Sequence, residues 1–305
     1  INWLPEGKLY NWLNKINHSI VARAIKRAIR RLGIDEYDFI NSHDYYFAQI
    51  HQLLNNEGKY IYQCLDPIIK AYSARHGHRL EQEAAIEADL VISTSPTLKE
   101  KMLAYNPNSI LVPNAANFSL CHQALKPETN TIPAIDSLEG LKFGYIGNIE
   151  RRIDYSLLLN VFTAHPDWQL IMVGPIDESF IPNEFFELKN LTLLPPVPHH
   201  QVPEVLKSLD IAIIPFVCDE VSAQIYPLKM YEYLASGKPV ITTDFNPEVI
   251  GALASAVNIA NDFEQFFEQV ELIKAIENES LVQDRVNVAR QNDWSQRSEM
   301  ILNLI

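Results

Sequence analysis

IAIIPFVCDEVSAQIYPLKMYEYLASGKPVIT (211–242) is the stretch on which the fold turns. IAIIPF is continuously apolar and reads as a buried strand. A polar loop follows, and Pro227 suits the first turn of a helix, where its missing N–H would be unpaired anyway. The helical pattern runs to Ser236, and Gly237 stops it by taking a left-handed conformation. Lys238-Pro239 then leads into PVITT, a second buried strand. Strand, helix and strand in this order make a right-handed βαβ unit in a parallel sheet.

The same alternation extends outward. Downstream of residue 140, strands are expected at 141–146, 168–173, 191–194, 210–215, 238–242 and 256–259. Helices are expected near 154–164, 201–209, 227–236, 246–254, 261–277 and 280–291. Upstream, strands are expected at 37–41, 59–64, 89–94 and 109–113. Helices precede them at 11–32 and separate them near 45–55, up to Ala88, and after Thr94-Ser95-Pro96, a hydroxyl cap before proline. Residues 118–140 lack periodicity and contain Pro127 and Pro133, so they read as a connection. The expectation is two Rossmann-like domains: an N-terminal lobe over 1–117, a linker over 118–140 and a C-terminal lobe over 141–305. The last helix is expected to pack back on the first lobe.

Composition narrows the function. Twenty-five Lys and Arg against 38 Asp and Glu give a net charge of -13, the wrong balance for gripping nucleic acid. Residues 1–31 depart from this, with seven basic side chains and one acid, Glu6; this amphipathic helix suits peripheral contact with an anionic membrane or an ordinary solvated face. Cys64, Cys121 and Cys218 are far apart, with no CxxC pair, which matches neither a disulfide framework nor a zinc site and suits a reducing compartment. No run has the length of a membrane span and no signal peptide is visible, so a cytoplasmic protein is expected. The chain begins Ile-Asn-Trp, and residues before it are expected to be missing.

In open α/β sheets ligands collect beyond the carboxyl ends of the strands. A helix opening there offers free N–H groups and partial positive charge to a phosphate. Lys229 adds a full charge in the first turn, and Glu232, three residues on, shares its face. A carboxylate so placed accepts hydrogen bonds from both ribose hydroxyls, and the spacing fits a nucleoside diphosphate. The same two residues also fit a plain ion pair on a surface helix.

LKMYEYLASGKPVI resembles the C-lobe signature of retaining GT-B glycosyltransferases of glycosyltransferase family 4, especially the branch that makes bacterial cell-surface polysaccharides such as teichuronic acid and exopolysaccharide. LKFGYIGNI (141–149), WQLIMVGP (168–175) and LTLLPPVPHHQVPEVLKSLDIAIIPF (191–216) continue it in register, and EADLVISTSPTLKEKM with ILVPNAAN are similar to the last strands of an N-lobe. The resemblance implies two Rossmann-like domains facing across a cleft, the N-terminal one incomplete. It implies transfer of a sugar, with retention, from a nucleotide-diphosphate sugar to a glycan or lipid-linked acceptor, without metal or other cofactor. Glu232 would hold the ribose. Backbone N–H groups at 226–229 (Tyr226, Pro227, Leu228) and Lys229 would hold the diphosphate. Val197, in the turn Pro196-Val197-Pro198, would frame the base. Gly147 would let backbone approach the phosphates, beside Asn148. His43 and Lys229 would be catalytic, with Asp66 and Ser95 on the acceptor or cleft side and Asn114 there or in a turn.

This chain departs from the family pattern in three places. Gln224 stands where the motif has its first glutamate; an amide still bonds a sugar hydroxyl. Asn148 replaces the arginine usual after the loop glycine, leaving Arg151 and Arg152 as phosphate partners or as a solvated pair. Nothing before Tyr37 resembles the opening glycine loop of an N-lobe. His43 is otherwise a structural loop histidine, and His76-Gly77-His78 and His199-His200 read as loop or cleft residues rather than metal ligands. A non-catalytic nucleotide-sugar-binding partner and a nucleotide-sugar 2-epimerase share the architecture and remain open.

Overall fold

The computed structural model describes residues 4–54, 58–68 and 75–305. The chain divides into two compact units, residues 1–113 with 299–305, and residues 114–298. Each is built on one parallel sheet.

The first unit opens with a 25-residue helix, Lys8–Leu32. Gly33 ends it at φ 64°, with the N–H groups of Gly33 and Ile34 returning to Arg30 and Ile29. Four strands follow: β1 (Phe39–Ser42), β2 (Tyr60–Cys64), β3 (Leu90–Ser93) and β4 (Ser109–Leu111), paired in sequence order. Tyr60, Tyr62 and Cys64 alternate onto one face of β2 and pack with Ala84, Ala85, Leu98 and Met102; Ile61 joins Ile92 and Val112 on the other face. The helix expected to end at Ala88 is seen as Gly77–Glu87, and residues 69–74 of that expectation lie outside the described residues.

The second unit holds β5 (Lys142–Ile146), β6 (Gln169–Val173), β7 (Leu191–Leu194), β8 (Ile211–Ile214), β9 (Val240–Thr242) and β10 (Asn258–Ile259). Their order is β10-β9-β8-β5-β6-β7. The chain therefore winds one way from β5 through β7, then returns beside β5 at β8 and winds the other way. The reversal between β5 and β8 is a topological switch point, where the loops diverge and leave a crevice. All four residues of β8 are buried, as a strand covered on both faces must be.

Residues 118–140, expected as a connection, cluster with the second unit. They form the short helices Phe118–Cys121, His122–Leu125 and Pro133–Asp136, and bury Cys121, Ala124 and Ile135 in its core. Lys207 clamps the stretch by donating to the carbonyls of Lys126, Pro127 and Thr129 at 2.7, 3.1 and 2.8 Å. Pieces of four residues are too short to show a helical period, which is why the pattern reads as structureless. The terminal helix Trp294–Leu302 straddles the division, its end clustering with the first unit. No helix among the described residues is long and apolar enough to cross a membrane.

Candidate active site

The switch point is finished by two loops. The first leaves β5 through Gly147, which sits at φ 144°, a conformation that side chains disfavour. Its N–H donates to Val173 at 2.9 Å, and Ile149 donates to Pro175 at 2.8 Å, so the loop runs on beside the end of β6. Gly174 at φ 150° allows this, since a Cβ there would lie 2.1 Å from the Gly147 carbonyl oxygen.

The second loop joins β8 to the helix Leu228–Ala235. Asp219 accepts the Ser222 N–H at 2.6 Å and shapes a tight turn over Ser222–Gln224. Asn246 donates to the Ile225 carbonyl at 2.9 Å, and Asn114 to that of Tyr226 at 3.4 Å. These bonds hold the backbone that leads into Pro227 and the helix. No side chain caps the helix that follows and no acid lies in its first turn. The N–H groups of Leu228 and Lys229 therefore keep their partial positive charge for an incoming anion. Pro227 contributes no donor, so the expected run of N–H groups at 226–229 has a gap.

Lys229 is where the two loops meet. Its Nζ donates to the Tyr145 hydroxyl at 2.7 Å and lies 4.0 Å from the Tyr145 ring centre and 5.1 Å from that of Phe216. A Cβ on Gly147 would stand 2.6 Å from this nitrogen. Burial among these rings pushes the ammonium down to about 7; the Arg152 guanidinium acts in the same direction, and Glu232 and Glu150 oppose it. Arg152 pairs with Glu150 and lies over Phe216, its guanidinium carbon 5.7 Å from the ring centre. It thus belongs to the electrostatic surroundings of Lys229, whereas Arg151 acts on Asp219. Tyr145, buried on β5, also donates to the Asn148 carbonyl at 2.9 Å, tying the glycine loop to the lysine; Asn148 itself is exposed.

Glu232 is partly exposed one turn deeper, with an oxygen 3.5 Å from Nε2 of His199. His199 opens the turn after Pro198, next to Val197, which packs partly against the core. The structure thus gathers Gly147, Arg152, Lys229 and Glu232 around one crevice and adds Tyr145 and Phe216, for which sequence reasoning assigns no role, and His199, which the sequence marks only as a loop or cleft residue. The Gln224 amide donates to the Glu220 carbonyl at 2.9 Å, inside its own turn, and the Tyr226 hydroxyl meets that of Tyr231 at 2.5 Å.

The remaining candidates lie in the first unit, at the carboxyl end of its sheet. His43 follows β1 at φ 60°, a left-handed position unusual for a residue with a side chain. Its N–H donates to Gln63 at 2.9 Å, and its Nδ1 accepts the Leu65 N–H at 3.3 Å. Nδ1 being an acceptor, Nε2 carries the proton of the neutral ring. Burial holds the His43 pKa below its ordinary value, against Asp66 and Glu81. His43, Cys64 and Glu81 have ligand atoms within 4.8 Å of one another. Lys101 already pairs with buried Glu81, and the Cys64 thiol, kept protonated by burial, donates to it at 3.5 Å, so Cys64 and Glu81 read as a support for His43. Asp66 is exposed after β2. Ser95 is not a free cleft hydroxyl; it is buried, and its oxygen accepts the Leu98 N–H at 3.3 Å as the cap of Pro96–Leu103.

Residues 140–274 match the family described as "Glycosyl transferases group 1". A 172-residue stretch is 28% identical to "Putative teichuronic acid biosynthesis glycosyltransferase TuaH" of Bacillus subtilis (strain 168), covering 52% of this chain and 41% of that one. The chain thus spans less than half of TuaH. Among solved structures, sucrose-phosphate synthase from Thermosynechococcus elongatus superposes with TM-score 0.66 at 16% identity, over 99% of this chain and 79% of that chain. Anabaena HepE in complex with UDP gives 0.66 at 13% identity, over 93% and 81%. At such identities the likeness establishes the fold: two parallel-sheet α/β units of the GT-B type.

Proposed function

We propose, from the match of residues 140–274 to the glycosyl transferases group 1 family, that the chain moves a sugar from a nucleotide-diphosphate donor to a glycan or lipid-linked acceptor, with retention, in polysaccharide synthesis at the cytoplasmic face. The observation that carries this reading is the meeting of Lys229, Gly147 and an uncapped helix end at the switch point. A diphosphate seated there has the Leu228 and Lys229 N–H groups and the ammonium for its charge, without a metal ion, and Glu232 for the ribose. TuaH, by its name, supports a cell-surface glycan as product. HepE, solved with UDP-glucose, makes that compound the first donor to try.

In the reaction proposed, the bond between the anomeric carbon and the diphosphate breaks, and the phosphate oxygen keeps the electron pair. The acceptor hydroxyl adds on the same face of the sugar and passes its proton to that oxygen. Lys229 and the helix end stabilise the negative charge that develops. His43, as an Nε2–H donor, serves the sugar side. Among the described residues we assign no carboxylate as a nucleophile.

Calorimetry with UDP, then labelled UDP-glucose with a membrane extract as acceptor, tests the reading. Transfer that disappears in Lys229→Ala is the expected result. Binding without turnover would favour a nucleotide-sugar-binding partner, to which Gln224, its amide spent within its own turn, lends support. Epimer formation without acceptor would mark an epimerase. Failure to bind UDP, GDP and ADP sugars alike would refute the donor site.

A further inference from the structure

The Lys8–Leu32 helix has two opposite faces. Tyr10, Asn14, His18 and Ala22, four residues apart, are buried against the first unit. Leu9, Trp12, Ile16 and Ile20 repeat at spacings of three and four and are 59, 60, 40 and 55% exposed. At 3.6 residues per turn the two rows lie roughly half a turn apart, so the apolar row points directly away from the unit. Farther along that outer side come Arg23, Arg27 and Arg30, all exposed. The helix carries Lys8, Lys15, Arg23, Lys26, Arg27, Arg30 and Arg31 and no acid. Among the described residues, Lys8, Lys15, Arg23, Arg27, Arg30 and Arg31 form no ion pair.

We propose that this outer face docks on a bilayer containing anionic lipid. The apolar row seats at the boundary between headgroups and acyl chains, Trp12 anchors there, and the arginines meet lipid phosphates. Charge decides among possible occupants. A second copy would bring two cation-rich helices face to face, which repel. A basic protein partner finds no carboxylate on the helix. An anionic surface complements it, and the acidic remainder of a chain of net charge -13 turns this helix, rather than another face, toward that surface. The helix lies on the bilayer rather than across it, being too polar to span. This inference stands on the first unit alone and survives any failure of the donor reading.

Flotation of the full chain with phosphatidylcholine vesicles, with and without about a third of phosphatidylglycerol, tests it. Binding to the anionic vesicles only, declining with salt, is expected. Trp12→Ser with Ile16→Ser, and separately Arg27→Glu with Arg30→Glu, each weaken partitioning about tenfold or more. Circular dichroism and UDP affinity stay as in the wild type, which separates lost docking from lost folding. Equal partitioning on neutral and anionic vesicles, or none on either, overturns the proposal. So does a dimer, seen by sedimentation, that Trp12→Ser dissolves, because a second copy then covers the row.

Discussion

Lys229→Met separates what the lysine does for binding from what it does to the fold. The ammonium sits at about 7 in the folded chain against an ordinary 10.5, with burial the leading cause and Arg152 the next. A depressed lysine destabilises the folded state wherever the unfolded chain is protonated and the folded one must either match it or forgo the proton. The penalty is complete below about pH 7, fades as pH rises toward 10.5, and is gone above. Each factor of ten in the protonation equilibrium is worth about 1.4 kcal/mol, so the penalty is roughly 5 kcal/mol near pH 6 and roughly 2 at pH 9. These are upper values, since water that reaches a partly exposed side chain recovers some hydration.

Methionine fills the space between Tyr145 and Phe216 without a charge, and the Tyr145 hydroxyl keeps its bond to Asn148. The variant should therefore be more stable than the wild type in the absence of ligand, by several kcal/mol at pH 6 and by less at pH 9, while losing UDP affinity. Urea unfolding read by hydrogen exchange in the Lys142–Ile146 strand follows the second unit by itself. A stability gain that is absent, or equal at the two pH values, would refute a buried, charge-penalised lysine. In the wild type, UDP binding at pH 8 should take up a proton, seen as a calorimetric enthalpy that varies with the buffer.

Glu232→Ala should weaken UDP binding by about 1–3 kcal/mol, the scale of a charged hydrogen bond, and unchanged calorimetric affinity would remove Glu232 from the site. Gly147→Ala places a methyl group 2.6 Å from the Lys229 nitrogen at a backbone angle of 144°; the donor affinity should fall about tenfold or more, with the fold intact by circular dichroism. His43→Ala should lower turnover about a hundredfold while leaving UDP affinity intact, and wild-type turnover would make the histidine structural. Transfer activity should survive EDTA; loss restored by magnesium or manganese would contradict charge balance by Lys229 and the helix end.

The ten strands among the described residues were legible because a parallel sheet covered on both faces needs short apolar runs, and IAII, YIY and LIMV are such runs. The boundary at the middle of the chain was not. Pro127 and Pro133 break the period in 118–140, yet Cys121, Ala124 and Ile135 are spaced to reach a core through three separate single turns. Periodicity needs about a dozen residues to register, whereas burial needs only one well-placed side chain.

The site shows the same division between local and distant information. Lys229 and Glu232 are adjacent on one helix face, so their spacing announces a shared role before any contact is known. Tyr145 and His199 stand 84 and 33 residues away from the side chains they touch. In the sequence Tyr145 is one more aromatic residue in a buried strand, and His199 one of two histidines after a proline. Only the return of the chain beside β5 at β8 brings the tyrosine under the lysine, and only the turn after β7 brings the histidine to Glu232. The strand order could have anticipated the first. A ligand site at a switch point draws on both strands that flank it, and Tyr145, two residues before Gly147 on β5, alternates onto the same face as the glycine that opens the crevice. His199 had no such signal, because where an exposed turn residue points depends on the length of β7 and not on any periodic pattern.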